Sequence, residues 1–161
     1  MSEKIAVHWF RQDLRIKDNP SLEAASKFDS FIPIYILDDT NSGEFKIGSA
    51  SRWWLYHSLN KLNKSLGGSL RLFKGDPCEI LPKLIEDYSV SNVFWNRCYE
   101  PWRIGRDKKI KNELETNNII VESFCGSLLW EPWNISKDDG TPYRVFTPYY
   151  KKGCLNAREP R

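Results

Sequence analysis

Glycine is missing where a simple nucleotide-binding chain needs it. The first apolar run, Lys4 to Phe10, leads into Arg11, Gln12 and Asp13 rather than into G-x-G-x-x-G, and G-x-x-x-x-G-K-[ST] occurs nowhere. Both absences exclude the backbone cradles that hold a dinucleotide pyrophosphate or a triphosphate. Histidine is equally sparse. Only His8 and His57 are present, with no H-E-x-x-H and no G-x-S-x-G, so the zinc-protease and nucleophile-elbow chemistries are excluded. The four cysteines, Cys78, Cys98, Cys125 and Cys154, form no C-x-x-C pair. That spacing argues against a metal site and for reduced thiols in a cytoplasmic protein. No apolar run approaches the roughly 20 residues of a membrane span, and the N-terminus has none of signal-peptide length. A net charge of +3 permits a nucleic-acid partner but falls short of the strongly basic footprint that would argue for one.

What is abundant is aromatic. Seven tryptophans and 14% aromatic residues admit two readings: core packing with ordinary surface aromatics, or a pocket for a flat conjugated ligand. The length of 161 residues suffices for one domain with a sizeable core.

The pattern of elements is regular. Lys4 to Phe10 alternates and is rich in β-formers, predicting a strand. Asp18-Asn19-Pro20 is a helix start, with a capping side chain before a proline in the first turn, and SLEAASKF follows. Ser30 to Leu37 is a nearly continuous apolar run, the mark of a strand covered on both faces, although Pro33 conflicts with it. Ser49 to Leu66 predicts a long helix with Leu55, Leu59, Leu62 and Leu66 on one stripe, ended by Gly67-Gly68. Ser69 to Lys74 predicts a strand, Pro77 to Tyr88 a helix with Leu81, Leu84, Ile85 and Tyr88 inward, and Ser91 to Asn96 a strand. Arg103 to Thr116 predicts a charged, largely solvated helix, and Ile119 to Phe124 a fifth strand. The fold class is therefore α/β, Rossmann-like, a five-stranded parallel sheet with helices on both faces. Residues 1–125 make that domain. Residues 126–161 read as an extended arm entering a short helix near Thr147 to Leu155.

Ligands of such sheets bind beyond the carboxyl ends of the strands. Those ends offer Arg11, Asp38, Asp76, Asn96, Arg97, Tyr99 and Glu100, a set with no nucleophile–base pair, which describes a binder rather than a self-contained catalyst. His8 reads as a core residue and His57 as a surface one. Asp13 lies between Arg11 and Arg15, an arrangement that predicts an ion-pair lattice bracing the loop for Asp13 and Arg15; Arg11, nearest the strand end, stays open between bracing and ligand contact.

The motifs then identify a family. WFRQDLRIKDNPSL, RLFKGDP (Arg71 to Pro77), FWNRCYEPWRIGRD (Phe94 to Asp107) and GSLLWEPW with GTPYRVFTPYYKKGCL (Gly126 to Leu155), in this order, strongly resemble the DNA photolyase/cryptochrome family. The resemblance implies the N-terminal α/β antenna domain, followed in the family by an interdomain linker and a helical domain that binds FAD and damaged DNA. There light-excited reduced FAD splits pyrimidine dimers, and a lyase activity would belong to the full-length protein, not to these residues. The helical domain is expected as a partner in cis, with self-association where apolar surface of residues 126–161 lacks it. By position, Ile36, Leu37 and Asp38 match the loop that touches a deazaflavin antenna in the family, and Arg52 and Glu100 match positions near that pocket; Arg11 joins them as a candidate. Trp102-Arg103 stand where members with a folate antenna often carry Asn-Glu, so a deazaflavin, a flavin, a differently held folate and an empty pocket all stay open. A repair enzyme, a cryptochrome-type light receptor and a stand-alone ligand-binding module are the three functional readings.

Overall fold

The computed structural model describes residues 4–160. Contacts divide the chain into a compact unit ending at Gly126 and a second beginning at Ser127.

The first unit is a parallel sheet of β1 (Ile5–Phe10), β2 (Ser30–Leu37), β3 (Arg71–Lys74), β4 (Val90–Asn96) and β5 (Ile120–Phe124), in the order β3-β2-β1-β4-β5. Four helices alternate with the strands: α1 (Pro20–Ala25), α2 (Ser49–Ser65), α3 (Pro77–Tyr88) and α4 (Pro101–Thr116). Alternation along each strand sorts two cores. Val7 and Trp9 of β1, Ile34 and Ile36 of β2 and Val93 and Trp95 of β4 pack with Leu81, Leu84 and Ile85 of α3 and Ile110 and Leu114 of α4. On the opposite face Ala6 and Phe94 meet Ala25 of α1, and Phe10 meets Leu59 and Leu62 of α2. Helices thus cover both faces, and strand order reverses between β1 and β4, the position where doubly wound sheets open a crevice.

The puzzle of Pro33 resolves by register. Pro33 pairs with His8 of β1, while β3 reaches only Ile34–Leu37. On the β3 side Pro33 therefore lies beyond the ladder, where a missing donor costs little. The leucine stripe of α2 packs as its spacing predicts, with Leu55 and Leu66 partly buried beside Leu59 and Leu62. Gly67 and Gly68, at φ +63° and +85°, close α2 with Gly68 N–H donating to Asn63 O at 2.8 Å and Gly67 N–H to Lys64 O at 3.2 Å, the paired bonds of a left-handed helix stop.

Three expectations are corrected. Tyr88 does not face the core but is 39% exposed, with the Arg71 guanidinium over its ring at 4.4 Å. Helix α4 begins at Pro101, two residues before Arg103, because proline suits the first helical position. It also buries Arg106 along with Ile110 and Leu114. The lattice of Arg11, Asp13 and Arg15 does not form. Asp13 accepts from Arg11 N–H at 2.9 Å, Asn96 Nδ2 at 2.6 Å and Asn19 Nδ2 at 3.1 Å. Arg15 donates to the carbonyls of Asp18 and Gly126. The loop is braced by amides and carbonyls, because the backbone turns Asp13 inward (5% exposed) beneath α1.

The second unit is mostly turns. It has helical turns over 146–156, a buried Ile135 and a hydrogen bond from Trp130 Nε1 to Arg158 O at 2.7 Å.

Candidate functional site

A cavity of about 860 Å³ opens at the carboxyl ends of β1 and β2. Trp9, Phe10 and Arg11 close β1 beneath it, and Ile36, Leu37 and Asp38 close β2. One face of α2 forms a wall: Ser51, Trp54, Leu55, Ser58, Lys61, Leu62 and Ser65 recur at helical spacing. Phe45 and Ile47 of the loop before α2, with Trp102, Arg103 and Arg106 of α4, complete the lining.

A chain of ion pairs ties these elements together. Arg106 Nη1 meets Asp38 Oδ2 at 2.7 Å, its Nη2 meets Asp107 Oδ1 at 2.8 Å, and Arg11 Nη2 meets Asp107 Oδ2 at 2.5 Å. Both partners of the Arg106–Asp38 pair are only 5% exposed in their side chains. Burial opposes the Arg106 charge, but Asp107 and Asp38 outweigh it and hold the guanidinium more firmly charged than usual. Asp38 also accepts from Thr40 N–H at 3.0 Å and Asn41 N–H at 2.9 Å, so a single carboxylate turns the chain away from β2 and anchors α4. The two guanidiniums lie over Trp9, at 4.5 Å for Arg11 and 5.1 Å for Arg106. Burial raises the pKa of the Tyr35 phenol in the same lining, keeping it a neutral aromatic wall.

Of the six candidate residues, Arg11, Ile36, Leu37 and Asp38 lie on the cavity wall. Arg52 and Glu100 are not in the lining but hold residues that are. Arg52 pairs with Asp39 at 2.8 Å and donates to Ile47 O at 3.1 Å, pinning the loop that carries Phe45. Glu100 accepts from Gln12 Nε2 at 2.6 Å. The other strand-end residues serve elsewhere. Asp76 caps α3 through Cys78 N–H at 2.9 Å, Asn96 binds Asp13, and Arg97 meets Ser123 Oγ at 3.0 Å.

Arg106, Asp107 and Trp54 escaped the reading of the chain. The signal for Arg106 was present: it continues the Ile110 and Leu114 stripe one turn toward the N-terminus, and a charge on a buried stripe demands a buried partner. Nothing local marked Asp107 or the choice of Trp54 over Trp53.

The family model described as DNA photolyase matches residues 6–161. The chain belongs to the DNA photolyase family. Deoxyribodipyrimidine photo-lyase of Agrobacterium fabrum is 41% identical over 157 residues, covering 94% of this chain and 32% of that protein. Cryptochrome-2 of Arabidopsis thaliana is 39% identical over 158 residues, covering 96% of this chain and 26% of that one. Among solved structures, a bacterial class III photolyase from Agrobacterium tumefaciens superposes with a TM-score of 0.89 at 38% identity, over 100% of this chain and 33% of its own. An archaeal photolyase from Sulfolobus tokodaii, described with two FAD molecules and a novel light-harvesting cofactor, superposes with a TM-score of 0.73 at 26% identity, over 98% of this chain and 36% of its own. The chain spans about a third or less of these relatives' lengths. The charged corner after β1 is a structural brace, with Arg11 and Arg15 on the cavity wall and Asp13 turned away from it.

Proposed function

We propose that the chain is the antenna-chromophore domain of a deoxyribodipyrimidine photolyase, and that the cavity beyond β1 and β2 holds the antenna. The observation that carries this is the cavity's make-up: about 860 Å³, walled by Trp54, Trp102, Tyr35 and Phe45 with a few fixed polar groups. That volume lies within the range of small-molecule sites, and aromatic walls suit a flat conjugated ring. Ile36, Leu37 and Asp38 would contact the ring, Arg11 would face it, and Arg52 and Glu100 would hold the rim. The light-harvesting cofactor ascribed to the Sulfolobus tokodaii relative supports a flavin-type occupant, and a deazaflavin or folate is the alternative. Repair of pyrimidine dimers and binding of catalytic FAD belong, in this proposal, to a helical domain that works with these residues.

The test is direct. The chain, mixed with a deazaflavin, a flavin or a methenyl folate and then desalted, is expected to retain one near-UV or blue absorbance band in equimolar amount. Retention of none would favour a ligand-binding module without light chemistry. The 39% identity to a cryptochrome keeps a light-receptor reading beside the repair reading. Dimer repair by the full-length protein separates the two.

A further inference from the structure

Helix α2 carries a second stripe, on the side away from the sheet, with the same spacing as its buried one. We infer that this outer stripe is a seam on which two copies of the chain pair, α2 against α2 and antiparallel, about a twofold axis between His57 and Asn60.

The stripe follows from helix geometry. Leu55, Leu59, Leu62 and Leu66 recur at 4-3-4 spacing and pack with Phe10, Tyr35 and Leu70 of the sheet face. Trp53, His57, Asn60 and Lys64 stand two residues before each of them, about 160° round the helix at about 100° per residue. All four are exposed. Trp53, and Tyr56 beside the stripe, are each 63% exposed, and their rings meet His57 at 4.4 and 5.2 Å. Three aromatic rings gathered on one open helix face mark an interaction surface. None of the four stripe residues lines the cavity.

The two ends of the stripe differ, and that polarity selects the occupant. The rings stand at the N-terminal end, and Lys64 lies eleven residues after Trp53, about 16 Å along the axis. Among the described residues no ion pair involves Lys64. Phe45 to Gly75 contains no carboxylate, so none can form within α2 or its flanks. Laid parallel and in register, two copies would set Lys64 against Lys64. Laid antiparallel, each Lys64 ammonium meets the Trp53 ring of the second copy, a cation on a π face. The next layer sets each imidazole of His57 against an amide of Asn60, which can donate or accept. Every layer then occurs twice, as a twofold contact requires. The two Lys64 ammoniums stand about 16 Å apart, beyond the roughly 8 Å screening length at physiological salt. Spacing of 4-3-4 is also the seam spacing at which two helices interlock at about 20°. A polyanion fits less well, because it needs cations along its length. Lys64 is the one cation of the four, and Arg52 at the aromatic end is paired with Asp39. A single helix pair buries less than the roughly 1,200–2,000 Å² of a standard interface, so the dimer is weak and exchanges.

Sedimentation equilibrium of the 161-residue chain tests this. It is expected to show monomer and dimer in exchange, with a dissociation constant on the order of 10–100 μM. Trp53→Lys sets lysine against lysine at both ends of the seam and is expected to raise that constant about tenfold or more. Trp53→Lys with Lys64→Glu pairs opposite charges in the same layers and is expected to return it to within about threefold of the parent. Lys64→Glu alone keeps the rings and is expected to weaken the dimer as well. A chain that stays monomeric at about 100 μM overturns the inference. So does a dimer indifferent to both single substitutions, as self-association through residues 126–161 would be, or a double variant no tighter than Trp53→Lys. The chromophore reading stands through all of these outcomes, since neither substituted residue lines the cavity.

Discussion

His8 lies in β1 with no exposed surface, and its Nε2 is 2.8 Å from Ser21 Oγ. Ser21 donates its own proton to Asn19 Oδ1, which also accepts from Leu22 N–H at the cap of α1. Ser21 must therefore accept from His8 Nε2–H, which leaves Nδ1 an unprotonated atom without a partner. Burial pushes the imidazole down to about 4, against the opposing pull of Asp13 and Asn19. The unfolded chain, titrating near 6.5, takes up this proton first as pH falls. Stability conferred by neutral His8 is thus full above about pH 6.5 and is lost progressively down to about pH 4, by roughly 3 kcal/mol. Urea unfolding at pH 7 and pH 5 is expected to show about 2 kcal/mol of that loss in the parent, and a smaller one in His8→Gln. Gly126 is constrained by space. A Cβ there would stand 2.7 Å from Asn96 Cβ, and Asn96 cannot yield because it binds both Asp13 and Asn19. Gly126→Ala is expected to cost about 1–3 kcal/mol in equilibrium denaturation.

At the scale of elements, the helices show what a one-dimensional pattern can and cannot carry. The α2 stripe was legible because four leucines at 4-3-4 spacing can face only one way. Its end was legible because two glycines supply the left-handed backbone that closes it. Gly68→Ala, at φ +85°, is expected to lower stability by about 1 kcal/mol without changing the fold, as thermal unfolding would register. Tyr88 continues the α3 stripe on paper. It is the last residue of that helix, followed by Ser89 at φ +50°, and the Arg71 guanidinium offers its ring a partner on the surface. Helix α4 is largely solvated, as its charge predicts, but the pattern could not show that Arg106 is buried, because that burial rests on carboxylates 68 residues upstream and one residue downstream.

At the scale of the whole molecule, the cavity depends on Asp38 joining β2 to α4. Asp38→Ala removes one of the carboxylates holding the buried Arg106 and frees the Thr40–Asn41 turn. Loss of a buried partner costs on the order of 3 kcal/mol, and chromophore affinity is expected to fall at least tenfold by fluorescence titration; unchanged affinity would remove Asp38 from the site. The 161 residues alone are expected to split no pyrimidine dimers under blue light, measured by the absence of any rise in ultraviolet base absorbance or by chromatography of irradiated oligonucleotides.

The chain by itself determined the doubly wound sheet and its family, because apolar periodicity, caps and four ordered motifs are local properties. It also determined that Arg11 and Asp38 stand at strand ends. Only the tertiary structure decided their partners. Asp13, between two arginines in the chain, binds the amides of Asn96 in β4 and of Asn19 at the cap of α1 instead, and Arg11 reaches Asp107, 96 residues away. Ion pairs follow distance in space, and the crossover from β4 to β5 begins α4 with Arg106 and Asp107 within reach of Asp38 at the end of β2 and of Arg11 after β1. The same crossover places Trp102 in the lining that also holds Trp54 of α2, making a cavity from residues that no spacing rule connects.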